Sequence, residues 1–133
     1  MSSNNFHFNN VVIVCGPVII ENNKVLLNKH GEKPIWKFPG GDVTEASGSL
    51  ETWAAIKVKE EMGLEVEIIK ALNPMVIWQA DETILLFHYL AKTKTQEIAP
   101  AKYIKEYAWH DIDNLPADVA PNIKPIIEEY KKL

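Results

Sequence analysis

The sequence predicts a mixed α/β domain, and three observations indicate it. An apolar, β-branched start has the pattern of a strand hairpin, one amphipathic helix follows in the middle, and further strands lead to a second helix. The chain of 133 residues, 47% of them hydrophobic, is long enough to form a core of its own. We therefore expect a single domain over residues 1–133.

The first third of the chain predicts a hairpin and a loop. Residues 11–20 are rich in β-branched side chains and predict a strand buried on both faces, with a bulge or break at residues 16–17, Gly-Pro. Residues 21–23 are turn material, and residues 24–28 return as the second strand. A short extended piece over residues 35–38 ends at a proline.

The central helix has sequence signals at both ends. Ser49 is the predicted N-cap of a helix over residues 50–62, with Glu51 in the first turn, where the helix dipole favours negative charge. Gly63 is the predicted left-handed stop. The apolar face repeats every four residues, through Leu50, Ala54, Val58 and Met62, beside a face that carries Trp53, Lys57, Glu60 and Glu61.

Four more strands and a last helix complete the predicted fold. Residues 65–69, 75–79 and 83–92 have strand patterns, and residues 107–110 predict one more short strand. Residues 122–133 predict a closing amphipathic helix, whose inward side chains are Ile123, Ile126, Ile127 and Tyr130.

Charge and cysteine content exclude several functions. The formal net charge is -4 and the 14 basic residues are scattered, so an extended nucleic-acid surface is excluded and a small anionic ligand is favoured. The longest apolar run is interrupted and too short to span a bilayer, and the start has no signal-peptide pattern, so we expect no membrane association. Cys15, the single cysteine, is expected to be buried and unreactive, which suits a reducing, cytoplasmic setting.

A glycine pair and a carboxylate pair carry the predicted chemistry. Gly40 and Gly41 free the backbone to approach a ligand, and Glu60 and Glu61 end the helix that follows. Two carboxylates beside such a loop suit Mg²⁺, which binds oxygen ligands and substrate phosphates and can activate a water. The simpler interpretation is a solvated helix end at which Lys57 pairs with one of the glutamates, three or four residues away.

These residues resemble the box of the Nudix (MutT-related) hydrolases. Residues 58–64, Val-Lys-Glu-Glu-Met-Gly-Leu, are similar to the end of the box, and residues 36–41, Trp-Lys-Phe-Pro-Gly-Gly, are similar to its entry. Ala54 and Ala55 match the paired alanines of the family, and residues 107–116 look like its aromatic strand and acidic Leu-Pro turn. The resemblance implies an α/β/α sandwich with a mixed central sheet.

One carboxylate of the box is missing. Counted back from Glu60 and Glu61, the Arg-Glu positions of the family fall on Ile56 and Lys57, so that Lys57 replaces the glutamate. Alternatively, residues 54–57 align with Ala-Ala-x-Arg, so that Lys57 stands for the arginine and the glutamate is deleted. Lys57 then either replaces a bound cation, which indicates a weakened enzyme, or contacts substrate phosphate while Glu60, Glu61 and the Gly40 carbonyl hold a single metal ion.

The first glutamate of the box has no direct counterpart. The interval between the glycines of the box is one residue longer than in the family, so counting from its two ends gives Ser47 or Gly48. The nearest carboxylates are Glu45 and Glu51. We select Glu51 as a further metal ligand because it stands at the start of the helix, although a role as a first-turn dipole partner explains it too.

Other candidates lie outside the box. Trp36 is selected as a substrate contact, although Trp36, Trp78, Phe87 and Tyr89 are equally explained as core aromatics. Asn122 resembles the asparagine with which some family members read a base edge, and a helix N-cap explains it equally well. His88 is expected to be a satisfied, partly buried histidine. Of Glu97 and Glu106, we select Glu106 as the further carboxylate that the family places after the long strand.

The resemblance predicts a hydrolase that uses Mg²⁺ or Mn²⁺. Its substrate is expected to be a small phosphorylated, nucleotide-derived molecule: a nucleoside diphosphate linked to another moiety and cleaved at a phosphoanhydride bond. The protein is expected to act as a monomer or homodimer. The alternative is a catalytically impaired Nudix domain that binds a nucleotide-like ligand or a protein partner.

Overall fold

The structure is a computed structural model that describes residues 10–44, 48–78 and 81–133. Within these residues the chain forms β1 (Val11–Glu21), β2 (Lys24–Lys29), β3 (Gly41–Asp42), α1 (Leu50–Met62), β4 (Val66–Ala71), β5 (Met75–Trp78), β6 (Thr83–Thr93), β7 (Glu106–Asp111) and α2 (Ile123–Lys131). Each predicted strand and helix is present with small shifts at its ends, and Gln79, placed in a strand by the sequence, lies outside the described residues. No helix in this part of the chain is long and apolar enough to cross a membrane.

The strands form a mixed sheet. Its main order is β4-β6-β1-β2-β7, with β3 beside β1 and β5 beside β6. The pairing of β1 with β6 is parallel, and the other pairings are antiparallel. The hairpin between β1 and β2 turns at Asn22 and Asn23, whose φ angles of 53° and 62° are the positive values that a tight two-residue turn needs.

The predicted break in β1 is wrong. The parallel ladder to β6 runs without interruption through Gly16, opposite His88, and Pro17, opposite Tyr89. A glycine is needed at position 16 because the backbone of Pro39 and Gly40 packs directly against it. Burial on both faces also holds only from Cys15 to the end of the predicted strand, since the first four residues are exposed or half-buried.

The two helices cover opposite faces of the sheet. Neighbouring strand residues alternate between two hydrophobic clusters: Val18 packs with α2, whereas Ile19 packs with α1. The α2 cluster contains Ile123, Ile126 and Ile127, and the α1 cluster contains Val58, Met62 and Leu64. The result is the predicted α/β/α sandwich.

Local signals define α1 as predicted. The Ser49 side chain accepts a hydrogen bond from the backbone N–H of Thr52 at 3.1 Å. At the other end Gly63 is left-handed, with φ 71°, and its N–H bonds the Lys59 carbonyl. These caps fix where the Glu60-Glu61 pair leaves the helix.

Candidate active site

A pocket of about 550 Å³ lies beside the glycine pair. Its walls come from β1, β6, the end of β5, the loop before β3 and the residues just before α2. Apolar side chains form most of the lining, as is usual for small-molecule sites. The polar and charged side chains in the lining are His30, Lys33, Lys37, Asp42, His88 and Asn122.

Two glycines allow the loop to lie directly on β1. A Cβ atom built on Gly16 would lie 2.1 Å from the Pro39 carbonyl oxygen, and one built on Gly40 would lie 2.5 Å from the Cys15 carbonyl oxygen. Gly40 also has a φ of 142°, a value that favours glycine. The loop backbone is therefore held at one position, from which the Gly40 N–H points at Glu61, 3.1 Å from Oε1.

Glu61 is a buried carboxylate. Its side chain is 3% exposed, and burial raises its pKa, while hydrogen bonds from Asn28 and Gly40 act in the opposite direction. Asn28 Nδ2 donates at 2.7 Å. Both hydrogen bonds from the described residues go to Oε1, so Oε2 is the oxygen that a ligand can use.

Asn28 and His30 extend this site, and the sequence interpretation missed both. Asn28 is fully buried on β2, where its Oδ1 lies 2.6 Å from His30 Nδ1. Burial, with Lys37 nearby, lowers the pKa of His30 to about 4, so the ring is neutral at pH 7. Because Asn28 uses Nδ2 toward Glu61, its Oδ1 accepts from His30 Nδ1–H, and His30 Nε2 is left unprotonated. The available signal was an asparagine in an apolar strand.

Lys57 forms the ion pair expected from its helix position. Its Nζ lies 4.0 Å from Glu60 Oε1, and the side chains are 20% and 63% exposed, so the pair itself stabilises little. The lysine stem passes close to the glycine loop, since a Cβ on Gly41 would lie 3.7 Å from Lys57 Cδ. Its charge also lowers the pKa values of Glu61 and Cys15, against larger opposing effects of burial. Lys57 is therefore an internal cation of this site.

Three predicted site residues lie elsewhere. Trp36 is 6% exposed and stacks edge-on against His110 at 4.3 Å, in the α2 cluster and outside the pocket lining. Glu106 forms an ion pair of 3.3 Å with Lys29. Lys29 follows Asn28 on β2, and neighbouring strand residues face opposite sides of the sheet, so Glu106 is not brought together with the buried carboxylate.

Glu51 is also separate from the carboxylate pair. It lies ten residues before Glu61 on α1, a separation of about 15 Å along the helix axis. The other candidates for the first glutamate of the box, Glu45 and Ser47, are outside the described residues, and Gly48 is a left-handed residue with φ 95°.

Asn122 and two aromatic residues also line the pocket. Trp78 and Phe87 line it, whereas Tyr89 is absent from the lining. Asn122 makes no N-cap hydrogen bond; instead its Nδ2 lies 2.9 Å from His88 Nε2. The N-cap explanation is therefore wrong. His88 is buried, with both ring nitrogens hydrogen-bonded, as predicted.

The donor set fits one divalent cation. Among the described residues no group of three or more His, Cys, Asp or Glu side chains is arranged to hold a metal ion. Glu60 and the free oxygen of Glu61 are two adjacent carboxylate donors, and Mg²⁺ is commonly held by one or two carboxylates with waters and substrate phosphates. Among the described residues no third carboxylate joins this pair, and Lys57 lies beside it, so these residues do not fit a cluster of several ions.

Comparison with known proteins identifies the family. The family model described as NUDIX domain matches residues 10–130. The chain belongs to the NUDIX family. Family membership confirms the resemblance seen in residues 36–41 and 58–64. NUDIX hydrolases are enzymes that act on small phosphorylated substrates and generally use divalent metals.

Solved structures share the fold of this NUDIX domain at low sequence identity. A MutT NUDIX hydrolase from Burkholderia pseudomallei has a TM-score of 0.83 and 23% identity, covering 91% of this chain and 98% of that chain. A MutT protein from Methanosarcina mazei Go1 has a TM-score of 0.82 and 17% identity, covering 93% and 95%. An ADP-ribose pyrophosphatase from Streptococcus suis has a TM-score of 0.68 and 19% identity, covering 92% of each chain. No curated protein sequence matches the chain.

Proposed function

We propose that this NUDIX domain hydrolyses a phosphoanhydride bond in a nucleoside diphosphate linked to another moiety, with Mg²⁺ or Mn²⁺. The observation that carries the proposal is the continuity of one pocket with the glycine loop, whose Gly40 N–H bonds the buried carboxylate of Glu61. The neighbour from Streptococcus suis, described as an ADP-ribose pyrophosphatase, has this fold and supports the substrate class.

The pocket lining has features suited to phosphates. It includes Gly40 and Gly41 together with two lysines, Lys33 and Lys37. Lys37 is fixed in place, because its Nζ donates to the His30 carbonyl at 2.7 Å. The two ammonium groups attract a diphosphate, and the fixed position of Lys37 favours one orientation of it.

The carboxylate pair would hold the metal ion. Glu60, the Oε2 oxygen of Glu61 and the Gly40 carbonyl would be the protein donors. A divalent cation bound there would neutralise diphosphate charge and lower the pKa of a bound water. Asn28 orients the Glu61 carboxylate, and Lys57 adds a fixed positive charge that steadies the substrate. The unprotonated Nε2 of His30 is a hydrogen-bond acceptor that would orient an attacking water.

The nucleobase would occupy the apolar part of the pocket. The pocket lining is mostly apolar, so it offers a planar ring a surface to pack against, and Asn122 offers a polar edge.

A substrate panel tests the proposal. We expect the purified protein to release phosphate, pyrophosphate or a nucleoside monophosphate from at least one nucleoside diphosphate derivative with Mg²⁺ or Mn²⁺. Glu61→Gln should lose most of that turnover. His30→Gln should reduce turnover without changing the fold. Absence of turnover across a broad panel would reject hydrolysis.

A second function is favoured by one observation, the cation at Lys57. An ammonium that pairs with Glu60 can balance the carboxylates without a metal ion, which suits a domain that binds a nucleotide-like ligand without cleaving it. Calorimetry distinguishes the two: a nucleotide that stays uncleaved with Mg²⁺ present, and that binds as tightly in EDTA as in Mg²⁺, supports this second function. Turnover that disappears in Glu61→Gln rejects it.

A further inference from the structure

His88 lies on β6 opposite Gly16 and joins the pocket residue Asn122 to the rest of the fold. It is 5% exposed, its Nδ1 lies 3.2 Å from the backbone oxygen of Asn73, and its Nε2 lies 2.9 Å from the amide of Asn122. A carbonyl oxygen can only accept a hydrogen bond. The proton of the neutral ring therefore sits on Nδ1.

The protonation of this ring determines which way the Asn122 amide points. With the proton on Nδ1, Nε2 of the neutral imidazole is an acceptor, so Asn122 must offer its Nδ2 donor. Burial lowers the pKa of His88, which keeps the ring neutral. The Oδ1 atom of Asn122 is consequently turned away from His88.

That oxygen faces the pocket. Asn122 is 6% exposed and lines the pocket, and none of the described residues donates a hydrogen bond to its Oδ1. Within the part of the chain that the structure describes, His110 Nε2 is the one fully buried side-chain nitrogen or oxygen without a hydrogen-bond partner. Asn122 Oδ1 is therefore reached from the pocket space.

The ring itself is held on several sides. The N–H of Asn73 donates to both carboxylate oxygens of Glu129, at 2.9 and 3.1 Å, which ties the acceptor of His88 to helix α2. Phe38, two residues before the glycine loop, packs edge-on against the ring with centroids 5.7 Å apart. His88 thus offers a rigid acceptor, and a rigid acceptor imposes one orientation on the amide.

We propose that His88 is a positioning residue that turns the Asn122 amide oxygen into the pocket, so that the site selects ligands presenting an N–H donor there. The proposal rests on the proposed function, since it names the edge that the bound base must offer. A ligand that lacks the donor leaves Asn122 Oδ1 unpaired in a closed site, which costs about tenfold in affinity.

A spectroscopic measurement tests the orientation without any ligand. Long-range ¹H–¹⁵N spectra of the full chain at pH 7 should show His88 protonated at Nδ1 and unprotonated at Nε2. Protonation at Nε2 would overturn the proposal, because Asn122 would then turn Oδ1 toward the ring and present its donors to the pocket.

A binding experiment tests the consequence. The probes are pairs of nucleoside diphosphates that differ by one amino donor: guanosine against inosine, and adenosine against purine riboside, with inorganic pyrophosphate as the reference for phosphate binding. The wild type should prefer the amino-bearing member of at least one pair by about tenfold. In His88→Phe the two members of that pair should bind with about equal affinity, while the affinity for pyrophosphate stays within about twofold of the wild type.

His110→Phe is the matched control. His110 is a second histidine of the sheet; it stacks on Trp36 and lines no part of the pocket. This variant should keep the wild-type preference. An unchanged preference in His88→Phe, or an equal loss of pyrophosphate binding, would overturn the positioning role. Failure of the wild type to bind any nucleoside diphosphate would instead reject the proposed function, and the inference with it.

Discussion

Glu61 and Asn28 form a buried hydrogen bond of 2.7 Å that joins helix α1 to strand β2 beneath the glycine loop. The asparagine is fully buried and the glutamate nearly so. Burying a carboxylate costs free energy unless hydrogen-bond donors surround it. The hydrogen bond from Asn28 therefore offsets part of the cost of burying Glu61 beneath the glycine loop.

Replacing Asn28 by leucine should therefore reduce the stability of the fold. The change keeps the volume but leaves Glu61 with one donor fewer, and we expect the free energy of unfolding to fall by about 1–3 kcal/mol. Urea denaturation measures it. In a Glu61→Gln background, Asn28→Leu should lower the free energy of unfolding by a smaller amount. The reason is that an unpaired buried amide is less unfavourable than an unpaired buried carboxylate. Asn114→Leu, at an exposed loop position, is the control, and an equal cost of Asn28→Leu in both backgrounds would contradict the explanation.

Lys57→Glu should turn the site toward metal binding. It adds a third carboxylate beside Glu60 and Glu61, so we expect affinity for Mg²⁺ or Mn²⁺ to rise at least tenfold by calorimetry. Without metal the variant should be less stable than the wild type, because its three carboxylates repel one another. Lys59→Glu, the same change of charge at an exposed position of α1, should not raise metal affinity. Unchanged metal affinity in Lys57→Glu would show that the site does not use its carboxylates for metal.

The sequence predicted those parts of the molecule that depend on neighbouring residues. The ends of α1 follow from Ser49 and Gly63, each of which acts within one helical turn. The face that Glu106 occupies depends on strand register, and the partner of Asn28 lies 33 residues away on another element. Contacts of this kind arise only when the sheet and the helix pack together. For the same reason Asn122, interpretable as an N-cap, proved to bond a strand histidine.

Gly16→Ala should destabilise the fold and displace the glycine loop. The added methyl group would lie 2.1 Å from the Pro39 carbonyl oxygen and 2.9 Å from the Gly40 Cα, both backbone atoms that cannot move without the loop. We expect a loss of about 1–3 kcal/mol in guanidinium denaturation. Gly41→Ala is the matched control: its Cβ would meet Lys57 Cδ at an ordinary 3.7 Å, so its stability should stay within about 0.5 kcal/mol of the wild type. Equal losses would show that the close approach is not the cause.

His30 should make the stability of the domain depend on pH. Burial, and then the charge of Lys37, lowers its pKa from 6.5 to about 4. Below pH 6.5 the unfolded chain therefore binds a proton that the folded chain does not, so the stabilising contribution is complete above pH 6.5 and is lost as the pH falls toward 4. We expect this loss to be at most about 3 kcal/mol. Denaturation of the wild type and His30→Gln at pH 7.5 and 4.5 measures it, because the variant lacks this titration while other groups are shared. The decrease in stability between the two pH values should be smaller in His30→Gln, and an equal decrease in both proteins would rule out a neutral, buried His30 as its source.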